Sequence, residues 1–268
     1  MVLADSIKAR IKPIIEREVV KRMNEMSFTG KTAVVTGGAG GIGSGICRVL
    51  AQAGGHVVVI GHRSGEKIQA VVSSLPGGPH MGVQVSVENS SGLMELARKI
   101  EQEYDGLDLL VNNAAVTKLI PHNDLDGLDD ELIDRIFRVN LRGPFACIRA
   151  FRRLLEKDRG GAVVNITSEA AVSGKGSNIA YVASKAGLNS MTMTLARALA
   201  PKIRVFAVAP GFIDTGFVSR DPSWTESAAA QAILENPLQP EDIGAAILSL
   251  STIFHQTTGC VIPVDGGK

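Results

Sequence analysis

An apolar run, Ala33-Val34-Val35-Thr36, passes without a break into Gly37-Gly38-Ala39-Gly40-Gly41-Ile42-Gly43, and a helical pattern starts inside the last of these glycines. Glycines let the main chain turn tightly and leave room for a ligand to approach the backbone. At the start of a helix the unpaired amides and the positive dipole end attract an anion. A glycine-rich turn alone says little, but one with a strand before it and a helix after it reads as the pyrophosphate cradle of a dinucleotide site. The spacing G-x-G-x-x-G falls on Gly38, Gly40 and Gly43, and a second spacing, T-G-x-x-x-G-x-G, on Thr36, Gly37, Gly41 and Gly43.

The rest of the chain repeats that alternation. Strand patterns are expected at 33–36, 57–60, 83–87, 107–111, 162–167, 205–208 and 260–264. Helical patterns are expected at 42–53, 66–74, 93–104, 129–156, 178–200, 225–235 and 242–250, the long fourth one broken or bent at Gly143-Pro144. Val-rich strands that are apolar on both faces, each followed by a helix, form a parallel sheet covered on both sides. The expected fold is therefore an α/β doubly wound parallel sheet of the Rossmann type, with ligands at the carboxyl ends of the strands. With 45% apolar residues in 268, one core over 28–268 is enough to house the whole pattern. Residues 1–27 stand apart as an N-terminal helical extension, in which Ile7, Ile11, Ile14, Ile15, Val19 and Met23 recur at helical spacing.

Several functions are set aside by what is missing. A net charge of +1 gives no general attraction to nucleic acid or to a membrane surface. No apolar run is long enough for a membrane span, and no signal-peptide core precedes a cleavage site. Cys47, Cys147 and Cys260 are odd in number and far apart, which suits free thiols in a reducing compartment and a cytoplasmic location. The five histidines lack metal-ligand or triad spacing, and no G-x-S-x-G elbow is present.

A second constellation carries chemistry. Ser168 closes a strand pattern, and Tyr181 follows it by thirteen residues at the start of a long helix. Lys185 lies one helical turn beyond Tyr181 and on the same face. An ammonium beside a phenol favours the phenolate, which turns the tyrosine into a proton donor or acceptor for a reacting oxygen.

Together these motifs resemble the short-chain dehydrogenase/reductase family over residues 28–267. The T-G-x-x-x-G-x-G turn fits, and Asn112-Asn113-Ala114-Ala115 looks like the family's N-N-A-G with Ala115 for the last glycine. Asn140, Ser168, Tyr181 and Lys185 match the active-site pattern, Pro210-Gly211-Phe212-Ile213-Asp214-Thr215 the P-G motif, and Val264-Asp265-Gly266-Gly267 the C-terminal signature. The resemblance implies that Tyr181 exchanges a proton with a carbonyl or alcohol oxygen that Ser168 polarises. By the same resemblance Lys185 bonds the nicotinamide ribose, and Asn140 holds a water on the proton path. It also implies a cofactor site of Gly37, Gly41, Ile42, Gly43, Asn112, Ala114, Tyr181, Lys185, Pro210, Gly211, Ile213 and Thr215.

Cofactor choice turns on charge after the second strand, where NAD sites usually place an acid. Here Gly61-His62-Arg63-Ser64 offers none, and His62 and Arg63 suit the 2′-phosphate of NADP, with NAD as the alternative. Ser86 stands where the family often has an acid near the adenine. For the substrate the implied class is a 3-oxoacyl thioester or related ketone, with sugar, polyol or cyclic alcohols behind it. A dinucleotide-sensing regulator without catalysis is the rival from another class. Phe217 and Trp224 are candidate apolar walls, and Glu169 is expected to point to solvent. Arg135, Arg138, Arg142, Arg149 and Arg153 would line one side of the long helix, as a solvated or subunit-facing surface. A homodimer or homotetramer built on the long helices is implied by the family.

Overall fold

The structure, a computed structural model, describes residues 26–62, 64–104, 106–157, 160–217, 232–234 and 237–267. The N-terminal extension up to residue 25, Arg63, Trp224 and most of the helix expected at 225–235 lie outside the described residues; of that helix only 232–234 are described, and they are not helical. Core burial takes in Phe28, 1% exposed, whose amide donates to the Ala53 carbonyl at 2.9 Å.

Seven strands form one parallel sheet: β1 (Thr32–Thr36), β2 (His56–Gly61), β3 (Met81–Gln84), β4 (Leu109–Asn112), β5 (Gly161–Ile166), β6 (Ile203–Pro210) and β7 (Val261–Val264). Their order is β3-β2-β1-β4-β5-β6-β7, so the direction of winding reverses between β1 and β4. The helices are α1 (Gly41–Gln52), α2 (Gly65–Ser74), α3 (Ser90–Tyr104), α4 (Asp130–Phe137), α5 (Gly143–Leu155), α6 (Ala170–Ser173), α7 (Ile179–Leu199) and α8 (Pro240–Thr252). They cover both faces of the sheet. Alternate strand residues feed two cores, Val35, Val59, Val111 and Val164 toward α1 and α8, and Val34, Val58, Leu110 and Val163 toward α3 and α5. The expected fold is thus the observed one, and the crevice where β1 and β4 part lies above the carboxyl ends of the strands.

Two expectations shift. The third strand occupies Met81–Gln84 rather than 83–87, because its partner β2 ends at Gly61. Val85 gives a last amide bond to the Gly61 carbonyl, 2.9 Å, and beyond it the chain has no strand to pair with. The long helix is interrupted at 138–142, immediately before Gly143-Pro144, but not by a break. Instead α4 and α5 are joined by a π-helical turn, Arg138–Arg142, in which the Gly143 amide bonds to the Arg138 carbonyl five residues back. Pro144 has no N–H to return to the Asn140 carbonyl, so the wider turn absorbs the mismatch. The turn also changes which way the arginines face. Arg138 pairs with Glu88 at 3.1 Å, Arg142 donates to the Glu88 carbonyl at 3.4 Å and Arg149 to Ser90 Oγ at 3.2 Å. These three clasp the β3–α3 connection within the chain, and all five arginines stay exposed, as expected of a solvated surface.

Candidate active site

A cavity of about 770 Å³ opens above the carboxyl ends of β1, β4 and β5. Its size suits a cofactor and a small substrate together. One end is lined by Gly37, Gly40, Gly41, Ile42 and Gly43, the other by Ser168, Tyr181 and Lys185, and Pro210, Gly211, Ile213 and Thr215 line it between or beside them.

The glycine turn is shaped by its neighbours. Gly37 has φ +64°, a left-handed conformation that side chains disfavour. A Cβ on Gly43 would overlap the Gly37 carbonyl oxygen and lie 2.8 Å from Asn113 Nδ2. A Cβ on Gly41 would overlap Thr215, so the turn and the segment after β6 are mutually fitted. Asn113 Nδ2 donates to the carbonyls of Thr36, 2.9 Å, and Gly37, 3.1 Å. Thr36 Oγ1 in turn accepts from the amides of Asn113 and Ala114, each at 3.0 Å. The result is a rigid bare cradle at the N-terminus of α1, whose amides face the cavity, and it fits a pyrophosphate. The residues present therefore fit a dinucleotide.

Asn113 was legible in the sequence only as part of the N-N-A run. Asn112, the neighbour chosen there, is not a lining residue. It is 2% exposed, and its Nδ2 donates to Asn165 Oδ1 at 2.8 Å between β4 and β5. Asn112 is the last residue of β4 and stays buried between neighbouring strands, whereas the chain leaves the sheet at Asn113 and runs over the cavity. Ala114 does line the cavity, as do His62 and Ser86. Lys67 and Ser64, which the sequence reading passed over, line the same end as His62. Ser64 caps α2 by accepting from the Lys67 amide at 3.2 Å, which brings that lysine into the first helical turn.

At the reacting end β5 delivers Ser168 one residue past Thr167, whose amide bonds to the Val208 carbonyl at 2.8 Å. Ser168 Oγ accepts from the Ala170 amide at 3.2 Å, which starts α6. Helix α7 begins after Asn178 and carries Tyr181, Ser184 and Lys185. Lys185 is 2% exposed, with Nζ donating to the Ile166 carbonyl at 2.7 Å and lying 5.7 Å from the Tyr181 ring centroid. Only one of its three N–H donors is needed for that bond. Burial lowers its pKa from 10.5 to about 8. A buried ammonium is a cost to the fold below pH 8, and the cost is relieved as pH rises from about 8 to 10.5, because there the unfolded chain holds more protons. The full shift corresponds to about 3 kcal/mol. The stability advantage of a Lys185→Met variant over the parent is therefore expected to shrink between pH 7.5 and 9.5. Urea unfolding at the two pH values reads this out, and a gap independent of pH would mean that the ammonium is not desolvated.

Asn140 sits in the π turn, fully buried, and its amide is committed: Oδ1 accepts from the Val116 amide at 2.8 Å, while Nδ2 donates to the Val116 carbonyl at 3.0 Å and to Ser184 Oγ at 3.2 Å. Asn140 is not itself a lining residue, so it reaches the site through the Val116 wall. Glu169, expected to point to solvent, lines the cavity next to Ser168, and so do Lys175, Thr117, Leu119, Phe212 and Phe217.

A doubly wound sheet with a bare glycine cradle and a Ser, Tyr and Lys set in one cavity defines a dinucleotide-dependent oxidoreductase. Comparison with known proteins gives the family. The profile described as short chain dehydrogenase matches residues 31–226, and the chain belongs to that family. It is 35% identical over 250 residues to the 3-oxoacyl-[acyl-carrier-protein] reductase FabG of Thermotoga maritima, covering 90% of this chain and 99% of that protein. Among solved structures, a dehydrogenase/reductase from Sinorhizobium meliloti superposes with a TM-score of 0.85 at 32% identity, over 92% of this chain and 98% of its own. A short-chain dehydrogenase/reductase from Brucella melitensis, described as glucose/ribitol dehydrogenase, gives 0.81 at 28% identity, over 90% of this chain and 97% of its own. The protein is accordingly a nicotinamide-dependent oxidoreductase acting on carbonyl or alcohol groups. Among the described residues no helix is long and apolar enough to cross a membrane.

Proposed function

We propose that the protein is an NADP-linked reductase of 3-oxoacyl thioesters or closely related ketones. The observation that carries this reading is the single cavity that joins the glycine cradle to Ser168, Tyr181 and Lys185. When bound, the nicotinamide supplies the hydride for the carbonyl carbon. Tyr181 gives its phenolic proton to the carbonyl oxygen as negative charge gathers there, and Ser168 Oγ–H stabilises that charge. Lys185 holds the nicotinamide ribose with the donors left over from Ile166 and steadies the phenolate that remains. Asn140 keeps the π turn and Val116 in place. Its backbone carbonyl, which Pro144 leaves without the usual helical donor, is the group that would hold a water on the proton path. Ile42, Ile213, Thr215 and Ala114 close around the cofactor between cradle and ribose.

For the 2′-phosphate the cavity offers His62 and Lys67 with the Ser64-capped start of α2, and no acid follows β2 before Glu66. Reversing the charge in Lys67→Glu is expected to lower the NADPH-to-NADH affinity ratio by about tenfold, as measured by cofactor fluorescence titration. An unchanged ratio would take Lys67 out of the phosphate site. The reading extends to a cytoplasmic homodimer or homotetramer. Phe137, Leu141, Phe145 and Met191 line an apolar groove on the α4–α5 face, and Phe145 is 44% exposed.

Glu169 and Lys175 in the cavity, with Thr117 and Ser177, favour a second reading, a sugar or polyol dehydrogenase. The test is NADPH oxidation with a short 3-oxoacyl thioester beside NADP⁺ reduction with a polyol panel. Turnover of the thioester alone supports the first reading, and turnover of polyols alone the second. Tight cofactor binding without turnover across a broad carbonyl panel would instead mark a dinucleotide sensor.

A further inference from the structure

The segment 116–120 supplies the cavity wall that bears Thr117 and Leu119, and it is fastened to the start of α7 chiefly by Asn178. This side chain is 1% exposed and uses both ends of its carboxamide. Oδ1 accepts from the Tyr181 amide at 2.7 Å, while Nδ2 donates to Thr117 Oγ1 at 3.1 Å and to the Lys118 carbonyl at 2.8 Å. Two flanking ties run the same way: Thr117 Oγ1 and Ser177 Oγ share a hydrogen bond, and the Ile120 amide donates to the Ser177 carbonyl at 2.8 Å.

The other side of the Tyr181 peptide is held by the same wall. The Tyr181 carbonyl accepts from Ser184 Oγ at 2.7 Å, and Ser184 Oγ accepts from Asn140 Nδ2, whose amide grips Val116 on both its N–H and C=O. Tyr181 is thus tied through its N–H to residues 117–118 and through its C=O to residue 116.

We propose that Asn178 is a positioning residue, which fixes the Thr117–Leu119 wall relative to Tyr181 and so sets where a substrate carbonyl meets the phenol. A helix cap alone needs only an acceptor, and aspartate or serine would supply one as well. An ionised aspartate would accept but could not donate, so accepting from one backbone while donating to another at this reach suits a carboxamide. Asn178 is 1% exposed, so water does not readily replace a bond that its amide fails to make. Small displacements of a reacting group are costly to rate. The proposal rests on the reading of Tyr181 as the proton donor.

The discriminating variant is Asn178→Asp, which keeps the acceptor for the Tyr181 amide and removes both donors. Circular dichroism and NADPH affinity are expected to match the parent, while kcat/KM for the carbonyl substrate falls about ten- to a hundredfold, with KM rising more than kcat falls. Amide exchange in the 116–122 peptide is expected to speed up while that of 182–199 stays unchanged. Thr117→Val is expected to move the same parameters less in the parent and hardly at all in the Asn178→Asp background. Parental kcat/KM together with parental exchange at 116–122 would overturn the proposal and reduce Asn178 to a helix cap. If Tyr181→Phe retains full turnover, the reading of Tyr181 fails on its own account. The exchange of 116–122 still decides whether Asn178 holds the wall, faster exchange in Asn178→Asp upholding it and parental exchange overturning it.

Discussion

Replacing Tyr181 by Phe is expected to leave folding and cofactor affinity near those of the parent and to lower turnover by about 10²- to 10⁴-fold, the usual contribution of a positioned acid. The ring stays, and with it the packing 5.7 Å beneath Lys185 Nζ. Only the proton donor is lost. The carbonyl oxygen must then take its proton from water, in a site where Ser168 Oγ–H still stabilises charge, so some activity should survive. Steady-state NADPH oxidation with the best carbonyl substrate measures the loss, and cofactor fluorescence confirms that binding is intact. A variant within a few-fold of the parent would move the acid elsewhere in the cavity.

The second large effect belongs to the other end. Gly43→Val is expected to reduce dinucleotide affinity by about a hundredfold or more and to cost about 1–3 kcal/mol of stability, as overpacked sites do. The added Cβ overlaps the Gly37 carbonyl oxygen and presses on Asn113 Nδ2 at 2.8 Å, which is itself the brace of Thr36 and Gly37. There is no direction in which the turn can yield without losing the amides that face the cavity. Calorimetric titration with NADPH, beside urea unfolding, separates the two losses. Parental affinity in the valine variant would show that the pyrophosphate does not use this turn.

Much of this site can be read from residue order alone. Strand, glycine turn and helix are local events, and so is the Tyr181–Lys185 spacing on one helical face. What escaped were features decided by partners far away in the chain. Asn113 rather than Asn112 faces the cavity because β4 enters the sheet in one particular register against β1, Thr36 opposite Asn112. The third strand ends early because β2 does. The π turn at Arg138–Arg142 needs both Pro144 and the close packing of Gly143 on Val87, where a Cβ would come to 2.8 Å of Val87 Cγ2. Only the first of these two causes is local. Glu169 reads as an ordinary surface charge until the fold places it on the cavity wall. Asn178 reads as a helix cap, and its second set of bonds, to Thr117 and Lys118, belongs to a loop some sixty residues earlier.

The central claim is that cofactor and proton donor share one cavity, and a crystal structure of the protein with NADP⁺ tests it most directly, whatever the natural substrate. The pyrophosphate is expected over the amides of Gly41, Ile42 and Gly43. The nicotinamide ribose should lie within hydrogen-bond reach of Lys185 Nζ, about 3 Å, and the ring should lie beside the Tyr181 hydroxyl with the 2′-phosphate at His62 and Lys67. A dinucleotide bound away from the glycine turn, or one whose ribose lies beyond reach of Lys185, would contradict the account.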